Sequence, residues 1–342
     1  MRLVPIDELK VNSELAIDIL DEYSNVLIAK GRILNEMNIE RLITTNVVSV
    51  YIKDQYCCND NVQYTSEPSN VIDKVAILKD AIYAAACGEL RGDDIAFALR
   101  TINQTVSELE ARKYTQKITY ERNKIRVEVL DEKMIYIAMM SSLFALKLGF
   151  SKQRTSLICL GALLRDVVAV VPKFAGQEDS FSKLHPIKGY NYVKEKYNFP
   201  EEVLQIILQH HELYDGKGFP YGLKGNEICE GARIVAIIDM FYKINTMNMT
   251  KNSKTMQEDF MKWTSHLDPI YLEQFLKHVS MFAPDTLVKL TNGDVAVVMP
   301  TKVSNPFKPQ VKIIRSYTFQ PGILINLNEY PDLHIYRVVY YV

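Results

Sequence analysis

The chain of 342 residues sets 40 Lys and Arg against 41 Asp and Glu, and a net charge of −1 gives no general attraction to a nucleic-acid polymer. Its 48% hydrophobic content and only 14 glycines describe an ordered, mostly helical globular protein, long enough for two or three cores. Five cysteines without a CxxC pair argue against a disulfide framework or a zinc ribbon; with no apolar leader and no long apolar run, no membrane span and a cytoplasmic location are expected.

Residues 1–53 read as a small α/β module. Residues 15–20 and 26–29 are apolar runs around a polar turn at 21–25, residues 35–45 have the spacing of a short helix, and 47–52 form a third strand. Residues 54–70 are polar and turn-rich and read as a linker. From 71 to about 110 the pattern predicts two helices broken between Gly88 and Gly92, and the charged stretch 113–133 continues as a solvated helical segment. The helix at 134–148 ends at Gly149, and Ser151 is placed to cap the next, which runs through Leu164 to Arg165 and Asp166. His185-Pro186 opens a further helix, where proline is tolerated because the first turn leaves its amide unpaired anyway. Residues 283–342 change character, with strand-like runs and an Asn292-Gly293 pair suited to a tight type I′ hairpin. The expected architecture is therefore mainly α: a linker at 54–70, a helical domain at 71–282, the α/β module before them and a β-rich extension at 283–342 after them.

Chemistry concentrates at the end of the apolar run 203–208. His210 shares a helical stripe with Val203, Ile206 and Ile207, and His211 lies beside Leu204, Ile207 and Leu208. Imidazoles aimed into an apolar face need partners; backbone carbonyls are one solution and a metal ion is another. Asp166 continues the stripe of Cys159, Ala162 and Leu163, and Asp239 that of Val235, Ile238 and Tyr242, so both carboxylates face inward. Asp166, His185, His210, His211 and Asp239 together form a donor set suited to iron, manganese or zinc. Such ions polarise phosphoryl oxygens and lower the pKa of bound water. His266, His278 and His334 read as surface or structural histidines.

The stretch His210-His211-Glu212-Leu213-Tyr214-Asp215-Gly216-Lys217-Gly218-Phe219-Pro220, followed by Tyr221-Gly222-Leu223-Lys224-Gly225 and Ile228, resembles the signature HHE-x-x-DG-x-GYP-x-GL-x-G-x-x-I of the HD-GYP family, with Phe219 in place of its Tyr. Leu163-Leu164-Arg165-Asp166 resembles the family's LLHD, His185-Pro186 with Gly189 its HP-x-x-G, and 232–239 its segment ending in a metal-binding Asp. The resemblance covers roughly 71–283. It implies a bacterial signalling protein with a helical HD-GYP core, whose relatives hydrolyse cyclic di-GMP or a related cyclic dinucleotide with two or three metals, often iron. It casts Asp166, His185, His210, His211 and Asp239 as metal ligands. It makes Asp166, Arg165 and Lys217 catalytic candidates and Gly216, Gly218, Phe219 and Pro220 substrate contacts. A protein partner and a homodimer are both compatible with it.

The same comparison exposes departures. Arg165 stands where the family has the His of its HD pair, and Lys133 where another metal-binding His is expected. Val168 and Ala169 replace a Gly and a phosphate-contacting Lys, Tyr242 replaces a second Asp, and 245–254 lacks an Arg-Pro-Tyr segment. Protonated Arg and Lys cannot ligate a metal. One reading is a catalytically impaired regulatory or binding module with one divalent metal (iron or manganese) or none, the Arg165 guanidinium pairing with Asp166 and Asp239 in place of the lost ion. The other is an active metal-dependent phosphodiesterase.

Overall fold

A computed structural model describes residues 1–20, 26–45, 47–57, 68–88, 92–119, 129–172, 182–248, 251–300 and 305–342. Among them the elements are α1 (Glu36–Ile43), α2 (Pro68–Cys87), α3 (Gly92–Arg112), α4 (Val129–Lys147), α5 (Lys152–Leu164), α6 (His185–Lys196), α7 (Glu201–Gln209), α8 (Glu230–Met247), α9 (Ser253–Trp263) and α10 (Pro269–His278). The chain is mainly α, with small sheets toward both ends, and none of the described helices is long and apolar enough to cross a membrane.

The helical body is built around α5. Ser151 caps it by accepting from the Arg154 amide, and from Thr155 to Leu164 all but Leu157 are buried, because α3, α4 and α7 pack around it. The α7 contact is close enough to require glycine: a Cβ on Gly161 would lie 2.8 Å from Ile206 Cβ, and one on Gly231 of α8 2.5 Å from Ile206 Cδ1. Ile206 is thus a knob seated between two glycine surfaces, which brings the ends of α5, α7 and α8 together.

Two expectations need correction. Residues 113–119 are not helical: a turn leads into the short strand β6 (Ile118–Thr119), which pairs in parallel with β7 (Val279–Ser280) and buries Ile118 completely. Tertiary pairing outweighs the polar local pattern there, while 120–128 lie outside the described residues. The hairpin at Asn292-Gly293 is not type I′, since Gly293 (φ +90°) alone takes positive φ and its amide bonds Leu290 O, the arrangement of a type I turn closed by a glycine bulge. That hairpin joins β8 (Leu287–Leu290) to β9 (Val295–Val298) in an antiparallel sheet ordered β11-β10-β9-β8-β12, with β10 at Gln310–Arg315, β11 at Leu324–Asn326 and β12 at Ile335–Val338. The inner faces of β8, β9 and β10 share one continuous apolar core with the helices.

The amino-terminal part has its own apolar cluster around Val4, Leu15, Leu34, Leu42 and Ile52. Its sheet is ordered β1-β5-β2, from Arg2–Pro5, Ser49–Lys53 and Glu14–Leu15, and a second pair joins β3 (Ile19–Leu20) to β4 (Val26–Ile28). The first strand was not legible from its short polar-interrupted pattern, and the turn at 21–25 lies outside the described residues, as does 58–67 of the expected linker. Tyr340 and Tyr341, from the other end of the chain, pack against this cluster.

Candidate metal centre

Four side chains converge where α5, α6 and α7 meet. One ligand atom from each of Asp166, His185, His210 and His211 lies within 4.8 Å of every other. Asp166 follows Arg165, the cap residue of α5, His185 opens α6, and His210 caps the end of α7. His185 Nδ1 donates to Ser182 O and His210 Nδ1 to Ile207 O, each at 2.8 Å. A carbonyl can only accept, so in the neutral rings the proton sits on Nδ1 and both Nε2 atoms present lone pairs. Those two Nε2 atoms are 3.1 Å apart, and each is 3.4 Å from Asp166 Oδ1. Three buried electron-pair donors facing one another require a shared cation, and carbonyl-oriented imidazoles with a carboxylate are a set that holds a divalent metal.

The protonation states agree with that role. Burial pushes the His210 imidazole below its ordinary pKa, and burial together with His210 pushes His211 down to about 2. Asp166 is held well below the usual carboxylate range: burial opposes ionisation, but the Arg165 guanidinium beside it outweighs that. The Phe219 ring stacks on His211 at 4.6 Å between centroids and lies edge-on to His185 at 6.3 Å, which closes the histidine side.

Asp239 is buried but stands outside the four-ligand group. Lys243, one turn further along α8, pairs with Asp239 Oδ2 at 2.6 Å, and Lys133 Nζ from α4 lies 3.6 Å from Asp239 Oδ1. The same Lys133 Nζ lies 3.6 Å from Asp166 Oδ2. These cations, with Arg165, hold Asp239 at a pKa of about 2 against the opposing effect of burial. The expectation that Arg165 pairs with both carboxylates is therefore corrected. Its Nη2 lies 3.2 Å from Asp166 Oδ2, but Nη1 turns back to Ala162 O at 2.6 Å, because the residue sits on the last turn of the helix it would have to leave. Lys133 is the side chain that bridges.

The signature loop after α7 is organised by a carboxylate that the sequence reading did not single out. Glu212, 2% exposed, accepts from the Tyr221 amide at 2.7 Å and the Leu223 amide at 3.0 Å, so the loop folds back over its own start. Gly218 lies against that start, where a Cβ would be 2.3 Å from Leu213 N, and Gly216 packs on the Lys224 side chain. Lys217 is not part of the cluster: its side chain is 71% exposed and pairs with Asp215 at 3.0 Å. Asp215 also accepts from His266 Nδ1 at 2.8 Å, which ties the loop to the turn after α9. His266 had no local signal for this, whereas Lys243 was findable four residues after Asp239.

An HD domain family model matches residues 172–268, which include His185, His210, His211 and Asp239. Similar proteins include the cyclic di-GMP phosphodiesterase PA4108 of Pseudomonas aeruginosa, 28% identical over 147 residues, 42% of this chain and 36% of that protein. The cyclic di-GMP phosphodiesterase response regulator RpfG of Xanthomonas campestris is 35% identical over 135 residues, 36% of this chain and 35% of that protein. The HD domain match and these relatives support membership of the HD-GYP family. A cyclic di-GMP phosphodiesterase of Thermotoga maritima is 27% identical over 195 residues, 54% of this chain and 50% of that protein. A solved structure, the HDG"Y"P protein Bd1817 of Bdellovibrio bacteriovorus, is similar with a TM-score of 0.45 and 16% identity over 80% of this chain and 97% of that one. The chain spans about a third to a half of the length of these curated relatives. In this chain the four donors stand together, while the ground between Asp166 and Asp239 is held by amino and guanidinium groups.

Proposed function

We propose that the chain is a signalling protein that binds a cyclic dinucleotide over a one-metal centre and hydrolyses it weakly or not at all. The observation that carries this is Lys133 Nζ, 3.6 Å from both Asp166 Oδ2 and Asp239 Oδ1. An ammonium in that position neutralises the two carboxylates a second ion would share, and Arg165 and Lys243 add further positive charge beside them. A divalent cation entering there meets like charge, so a second metal is strongly disfavoured.

Asp166, His185, His210 and His211 would hold one iron or manganese ion, and such an ion supplies Lewis-acid polarisation of a phosphoryl oxygen. The chain's own groups do the rest. The Ser182 and Ile207 carbonyls orient two ligand rings, Phe219 covers His211, and Glu212 keeps the loop that carries Phe219 in place. What a single ion leaves unsupplied is simultaneous stabilisation of attacking and leaving oxygens, worth several kcal/mol of a phosphoester transition state. The names of the relatives support a cyclic dinucleotide, cyclic di-GMP first, as the ligand class.

The test is metal content per chain in protein purified without oxygen, with His211→Ala alongside and hydrolysis of cyclic di-GMP followed on the same samples. About one equivalent, lost in the variant, with turnover far below that of a two-metal enzyme is the expected result. Two or more equivalents would overturn the one-metal reading, and brisk hydrolysis would establish the active phosphodiesterase instead.

A further inference from the structure

We infer that Lys133 and Lys243 form a phosphate-binding subsite beside the metal position, where the phosphodiester of the cyclic dinucleotide is read. This rests on the one-metal reading above and names the groups that would hold the ligand. Three cations from three elements meet there: Lys133 of α4, Arg165 at the end of α5 and Lys243 of α8. The two lysines reach solvent, with side chains 26% and 37% exposed, while Arg165 is 1% exposed. Arg165 Nη2 is buried in an ion pair without a hydrogen bond of good geometry, and Asp166 Oδ2 and Asp239 Oδ1 are likewise held by charge alone, so the donor at Nη2 is incompletely used. A buried guanidinium whose Nη2 makes no hydrogen bond beyond its ion pair with Asp166, beneath two solvent-reaching ammoniums, is a layout for an anion.

Charge decides when an anion would bind. The three cations face Asp166 and Asp239, and Glu132 adds a negative charge that reaches Tyr242 on the same side. Three positive against three negative charges leave the patch neutral, so it attracts a phosphodiester only once a divalent ion is held by the neighbouring histidines. Metal and phosphate therefore bind with positive coupling, each raising the affinity of the other. Lys243 also supplies the readout. Its Nζ lies 5.5 Å from the ring centroid of Trp263, the only tryptophan of the chain, so a lysine that turns toward a phosphate leaves that ring.

The experiment is a titration of the full chain, loaded with manganese, with cyclic di-GMP, following Trp263 emission and, independently, heat. A saturable change that chelation abolishes is expected, and Lys243→Gln and Lys133→Gln should each weaken binding about tenfold or more, as for loss of a charged hydrogen bond. Lys243→Arg keeps the charge and should bind within a few-fold of the parent, which separates lost charge from lost folding. Trp263→Phe should silence the emission change while the heat of binding persists. Unchanged affinity in both glutamine variants overturns the subsite and leaves the one-metal reading standing, whereas no saturable binding by protein carrying one metal per chain overturns the subsite and the cyclic dinucleotide as ligand together. Two metals per chain in the parent overturns that reading whatever the titration gives.

Discussion

At the scale of single residues, the site is governed by which groups are denied water. Burial penalises the charged ring of His210 and His211 and lowers both their pKa values, while the Nδ1 protons of His185 and His210 are committed to carbonyls. The consequence for stability has a definite sign. A histidine whose folded pKa lies below its unfolded value near 6.5 stabilises the fold above that value and loses the contribution as pH falls, because the unfolded chain takes up the proton first. For His211, at about 2 when folded, the window runs from roughly 6.5 downward, and the metal-free protein should lose roughly 2 kcal/mol between about pH 7 and pH 5 from this residue alone. Urea unfolding of chelated protein at the two pH values measures it; His211→Gln should remove that part of the loss, and equal pH dependence in parent and variant would refute it. The site also shows how one substitution changes meaning with its neighbours. Arg165 beside Asp166 reads in sequence as the replacement cation, yet its guanidinium is anchored to its own helix and the bridging falls to Lys133, on a different helix.

At the scale of elements, the metal position depends on how closely three helices approach. Gly161 and Gly231 are both filled by Ile206, so a methyl group at 161 has nowhere to go except by shifting α7 or α5. In an exposed helix Gly→Ala would gain up to about 1 kcal/mol. Here the clash should reverse the sign and cost about 1–3 kcal/mol as overpacking does. Chemical denaturation of Gly161→Ala would show it, with a fall in metal affinity as Asp166 and His210 move apart; a variant as stable as the parent would refute the packing argument. The signature loop makes a parallel case. Glu212→Ala leaves the Tyr221 and Leu223 amides without their buried acceptor, at about 1–3 kcal/mol, and should open the loop to protease between 212 and 223 while the helices stay protected.

At the scale of the whole molecule, the two ends of the chain are joined. Arg2 donates to Tyr340 O and pairs with Asp54, and both Arg2 and Lys10 lie over the Tyr341 ring, at 5.2 and 4.8 Å. The Tyr341 hydroxyl meets Ser13, and the amino terminus pairs with Asp285. The β-rich extension, itself sharing the helical core, is thereby the support on which the amino-terminal module rests. Removing Tyr340, Tyr341 and Val342 should raise hydrogen exchange in β1, β2 and β5 and leave α4 through α8 unchanged; equal protection in the shortened chain would refute the clasp.

Much of this was legible in the order of residues. The helices from 134 to 247 and the inward direction of the double histidine and Asp166 follow from apolar periodicity that continues into polar ligand types, a local pattern that needs no knowledge of distant contacts. The signature from 210 to 225 carried the family for the same reason, since its glycines and Glu212 act within one loop. The first strand and the parallel β6–β7 pair were not legible, because their partners lie far away along the chain, at Ser49–Lys53 and Val279–Ser280. Nor was the balance at the site. Whether Asp239 joins the metal or an ammonium depends on Lys133 and Lys243 arriving from two helices at separations of a few ångströms. Charge interactions fall off with distance in space and not along the chain, so only the folded arrangement decided which cation holds the ground between the two carboxylates.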